Sequence, residues 1–189
     1  MENQEKSEWE FAETRIFWGE IAPTDHVVQI YENDESFLTT LEGFVISGLE
    51  AKESVVLIAT SQHIAALSHR LSKAGIVIDT YIADDRLILL DAEQTLAKFM
   101  VNGWPEPRLF EETIMAIIRR AVDKNRRVRA FGEMVALLWA KGEKSATVHL
   151  EMLWNCIIRR ICTQYPAVNP GSKGADISAI PAYMHPKTA

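Results

Sequence analysis

The side chains here that could do chemistry are carboxylates, histidines, two cysteines and several aromatics, and their spacing excludes more chemistry than it supports. The densest acidic stretch, Tyr31-Glu32-Asn33-Asp34-Glu35-Ser36, stands where a short apolar run gives way to a helix start. A nucleotide-binding loop in that position needs glycines for close backbone approach and a lysine for the phosphates. This turn has neither, and its three carboxylates would repel a triphosphate. Phe131-Gly132-Glu133 matches no phosphate motif. The five histidines are His26, His63, His69, His149 and His185. His63 and His69 are six apart, a spacing that does not share one helical face. There is no HExxH, so a metal site would need His26, Glu32 and Glu133 to meet in space. No GxSxG is present either. Cys156 and Cys162 are also six apart on one expected helix, with no CxxC. They read as small buried hydrophobes in a reducing compartment.

The elements that must position these groups alternate. His26–Tyr31 reads as a first strand, followed by a helix whose stripe is Phe37, Leu38, Leu41, Phe44, Val45 and Leu49. Ser54–Ala59 is a continuous apolar run, as expected of a strand buried on both faces of a parallel sheet. Thr60-Ser61 can cap a helix over 62–73 that ends at Gly75. The stretch 76–82 reads as extended or loop-like, Arg86–Leu90 as a strand and Glu93–Met100 as a helix. Asn102 to Pro107 reads as a loop with two prolines, and Leu109–Lys124 as a long amphipathic helix. Val128–Phe131 is a short strand, Gly132–Ala140 is open between helix and strand, and Thr147–Cys162 is the last clear helix. Such alternation predicts an α/β domain in three layers, a mostly parallel sheet flanked by helices. Residues 1–24 form an N-terminal arm with apolar weight in Trp9, Phe11, Ile16, Phe17 and Trp18, expected to pack on the domain or on a partner. Residues 25–166 form the folded unit, and 167–189 a tail or edge strand.

In open α/β sheets, ligands bind outside the carboxyl ends of the strands. Those ends supply Tyr31, Glu32, Thr60, Asp91, Phe131 and Glu133, with His26 and Arg129 on the strands and Trp104 and Trp139 on nearby connections. Aromatic walls with a few polar groups suit a small organic ligand. Asp91 reads more readily as a helix cap, and Trp139 and Trp154 as core. Glu133 has no evident capping role after a buried-looking strand, which makes it the stronger binding candidate.

The chain has 189 residues and a formal net charge of -6, enough for one domain with a substantial core. An acidic domain attracts nucleic acid poorly. The basic clusters at Arg119-Arg120, 124–129 and Arg159-Arg160 sit near helix ends, where the helix dipole favours cations. No secretory leader and no apolar run of membrane-crossing length occurs, so the expected location is the cytoplasm.

Four ordered blocks, HVVQIYENDESFL, GLEAKESVVLIAT, LILLDAEQTLAKFMVNGWPEP and VRAFGEMVALLWAKG, resemble the MEDS domain, the methanogen and methylotroph sensory domain typified by the DcmR regulator. The resemblance spans about residues 25 to 165. It implies a non-catalytic sensor of small, hydrocarbon-derived compounds, working beside histidine-kinase or DNA-binding partners, with no cofactor. The layout also looks like a KaiC/RecA-type ATPase core without its phosphate loop. No kinase or helix-turn-helix segment is evident in this chain, so output is expected through a partner or through self-association, a homodimer included. The alternatives to a ligand sensor are a pure docking module for a kinase or transcription factor, and an enzyme or nucleotide binder of unrecognised type.

Overall fold

In the computed structural model the described residues are 29–31, 33–122, 126–164 and 177–184, with side chains described over 33–122 and 126–160. Strand β1 (Gln29–Tyr31) leads to helix α1 (Asp34–Glu50). Asn33 caps α1, its Oδ1 accepting from the Ser36 N–H at 2.9 Å, and Asp34 and Glu35 meet the positive end of the helix dipole. Strand β2 (Ser54–Ala59) is buried along its whole length. Helix α2 (Ser61–Lys73) starts at the Thr60 cap and stops before Gly75, whose φ of +81° suits glycine.

The next segment departs from expectation. Residues 78–83 form a short helix, α3 (Ile78–Ala83), where the sequence reads as extended or loop-like. Ile78 and Tyr81 are three apart, and as a helical pair both pack on the core beneath α2. Strand β3 (Leu87–Asp91) is followed by α4 (Ala92–Ala97), which ends three residues before the expected helix does. The presumed proline loop is a hairpin, β4 (Met100–Val101) against β5 (Trp104–Pro105). Asn102 and Gly103 between them both have positive φ, 52° and 78°, as a two-residue hairpin turn requires. Pro107 opens α5 (Pro107–Val122), then come β6 (Val128–Gly132), α6 (Met134–Ala140), α7 (Lys144–Gln164) and β7 (Ile177–Met184).

The large sheet runs β1-β7-β6-β2-β3, with every neighbouring pair parallel. The segment read as a tail or edge strand thus supplies β7, an inner strand, and β6 takes the centre. β1, which precedes the Glu32–Ser36 turn, is an outer strand.

Alternation along β2 divides the core. Val55, Leu57 and Ala59 face α1, α2 and α3 through Phe37, Leu41, Phe44, Leu67 and Leu71. Val56 and Ile58 face α4 to α7 through Leu96, Phe110, Ile114, Val135, Leu150 and Trp154. Each face of the sheet is therefore covered, giving three layers. Cys156, expected to be buried, lies on the exposed side of α7.

Candidate functional site

Consecutive strands send their helices to opposite faces at one place. After β2 the chain turns into α2 on one face, and after the adjacent β6 it turns into α6 on the other. Such a divergence at the carboxyl ends opens the crevice where α/β sheets bind ligands. Glu133 stands in it, between β6 and α6. Its backbone N–H donates to the Ile58 carbonyl at 2.9 Å, which extends the sheet by one bond and aims the side chain across to β2. There Oε2 accepts from the Thr60 N–H at 2.8 Å and Oε1 from the His63 Nδ1–H at 2.7 Å. A carboxylate only accepts, so the contact puts a proton on His63 Nδ1.

The pair is withdrawn from solvent, with Glu133 2% and His63 7% exposed. Beneath it the Phe37 ring lies 4.6 Å from the imidazole and 5.7 Å from Phe131. Burial alone would push the imidazolium pKa down. The hydrogen bond and charge of Glu133, with the charge of Asp34, outweigh it and raise His63 above its ordinary 6.5.

A second carboxylate closes the neighbouring gap. Asp91, at the end of β3, accepts from the Ser61 hydroxyl at 2.5 Å and from the Gln94 N–H at 2.8 Å. The Ser61 hydroxyl first, and the Gln94 amide after it, hold its carboxyl below the usual range. Asp91 therefore caps α4, as one of its two readings had it, and also ties β3 to the start of α2. The Ser61 hydroxyl is directed to Asp91 and not to His63. The hydrogen bond between nucleophile and base that would activate a serine is not made.

Of the residues singled out in the sequence, Thr60, Asp91 and Glu133 come together at this edge, with Phe131 as the aromatic floor. Tyr31 ends β1 at the same edge of the sheet, on its outer strand. His26 and Glu32 lie outside the described residues, and with them the metal site they would form with Glu133; among the described residues no cluster of three metal-ligating side chains occurs. Arg129 is placed elsewhere. It sits near the amino-terminal end of β6, buried, its Nε donating to Glu53 Oε2 at 2.5 Å and its Nη1 to the Phe44 carbonyl at 3.2 Å. It holds the base of α1 rather than a ligand. Trp104 is on β5, stacked on His149 at 4.9 Å, and Trp139 on α6 lies under the Lys144 ammonium at 5.8 Å. Two contributors escaped the sequence reading, Ser61 and His63. The signal was the Thr60 cap itself, since the residue three after a cap lies in the first helical turn, at the mouth of the crevice.

A family model described as MEDS, the MEthanogen/methylotroph, DcmR Sensory domain, matches residues 25–162. No curated protein and no solved structure matches the chain.

Proposed function

The chain belongs to the MEDS family of sensory domains, and on that premise we propose that it is a ligand-binding sensor whose site is the crevice between β2 and β6. The observation that carries this reading is Glu133, a buried carboxylate that joins two strand ends and the first turn of α2. A ligand that displaces or re-aims it acts on α2 and on α6 together. Movement of α6 passes to α7, which follows after a three-residue turn. The groups at the edge are hydroxyl, imidazole, carboxylate and aromatic ring, which suits a small neutral or cationic organic molecule and not a phosphate. Tyr31 belongs to the same proposal. We place the protein in the cytoplasm, signalling through a kinase or transcription-factor partner. Among the described residues no helix is long and apolar enough to cross a membrane.

A thermal-shift screen of the full chain against small alcohols, amines, carboxylic acids, one-carbon and halogenated compounds tests the reading. A ligand at about 100 times its Kd adds about 2.7 kcal/mol, or roughly 5–11 °C for a chain of this size. The expected result is a selective hit whose shift is lost in Glu133→Gln and His63→Ala. A hit that stabilises the variants as well as the wild type removes the crevice as the site. No hit at all favours the pure docking module.

A further inference from the structure

Three large apolar side chains lie together on the outside of the domain. Trp104 is 45% exposed, Val148 58% and Met152 60%. With Lys144, Ser145 and His149 they line one open groove of about 440 Å³. Val148 and Met152 are one turn apart on α7, and the Trp104–His149 stack makes the facing wall. Tryptophan and methionine are enriched where proteins meet chains, and an exposed apolar patch marks such a place. A small-molecule pocket buries most of its ligand, which a groove this open does not do. A segment of polypeptide fits it better.

We propose that the groove is the seat of the chain's own N-terminal arm, residues 9–18. Two properties match. The arm carries Trp9, Phe11, Ile16, Phe17 and Trp18 for the apolar walls. Its first 24 residues hold six glutamates against Lys6 and Arg15, and the groove has Lys144 in its lining. Trp18 is 11 residues before Gln29, where β1 begins, a connection that spans up to about 36 Å when extended. Seated there, the arm covers the apolar face of α7 that a signalling partner would otherwise meet.

Trypsin reads the contact in the full chain, because Lys6 and Arg15 are the arm's only cleavage points. Cleavage at Arg15 is followed by mass spectrometry in the wild type, in Met152→Asp and in Val148→Asp. Both positions are exposed, and unchanged urea midpoints confirm intact folding. Cutting of a docked segment tracks its open population, so about tenfold faster cleavage is expected in either variant. Lys144→Glu should release the arm in part, and raising salt from about 0.1 to about 0.5 M should act in the same direction in the wild type. Equal rates at Arg15 in wild type and both apolar variants overturn the proposal. Protection that appears only at concentrations where the protein dimerises also overturns it, because the groove then holds the arm of a second copy.

Discussion

Glu133 engages partners 73 and 70 residues away in the chain, the Thr60 amide and the His63 imidazole, and both of its oxygens are committed. Glutamine keeps the shape but must turn an amide NH2 toward one of two donors. Glu133→Gln is therefore expected to lower stability by about 1–3 kcal/mol, the usual cost of leaving a buried hydrogen-bonding group unmatched. It also removes the main influence that raises the His63 pKa. A raised pKa means that the folded state holds the proton more tightly than the unfolded state. The stabilisation is complete below the ordinary 6.5 and is lost as pH rises through the raised value. Urea midpoints of the wild type should fall over that window, and those of Glu133→Gln should not, because burial without the carboxylate pushes the His63 pKa down and makes stability rise with pH instead. An equal slope in both would mean that another group sets it. In the sequence, Glu133 is legible because it follows a buried strand without a capping task. His63 is not, because its partner lies in a different βα unit and only its spacing to His69 can be examined there.

At the scale of elements, the amino-terminal end of the sheet is where α1 comes closest to it. Gly48 permits this approach. A Cβ there would stand 2.6 Å from Val55 Cγ2 and 2.7 Å from Arg129 Cδ. The arginine cannot swing away without abandoning Glu53. Alanine gains about 1 kcal/mol over glycine in an open helix, but overpacking of this kind costs about 1–3 kcal/mol. Gly48→Ala should therefore be destabilising, against its helix propensity, as a lower urea midpoint at unchanged slope. Strand β2, α2 and α5 are readable in sequence because one periodicity spans each. The failures have local causes. In α3 a six-residue helix carries isoleucines at i and i+4, a spacing that also reads as alternation in a strand. Over 102–107 the two prolines draw attention from Asn102-Gly103, the pair that sets the hairpin turn. Gly132–Ala140, undecided from pattern, resolves at Glu133, where β6 ends and α6 begins.

Over the whole molecule, charge and topology bear on the same edge. The carboxyl ends of the strands carry Asp34 and Glu35 after β1, Asp91 and Glu93 after β3, and Glu133 after β6, in a chain of formal charge -6. At the start of α2, where a phosphate would sit at such an edge, the Thr60 amide already donates to Glu133 and the Ser61 hydroxyl to Asp91. Arg70, the cation on α2 that faces α1, is itself engaged by Glu35 and Glu42. The order of the strands, and with it this clustering of acids from separate βα units, is invisible in the linear chain; the missing glycine and lysine of the Glu32–Ser36 turn are visible there and lead to the same expectation. ATP with magnesium, measured against magnesium alone to discount cation binding by the carboxylates, should move the melting temperature by less than about 1 °C. A saturating ligand would add several degrees. A large shift specific to the nucleotide would mean that the acidic edge opens to expose the α2 amides, and the ligand of this sensor would then be sought among nucleotides and not among small organic molecules.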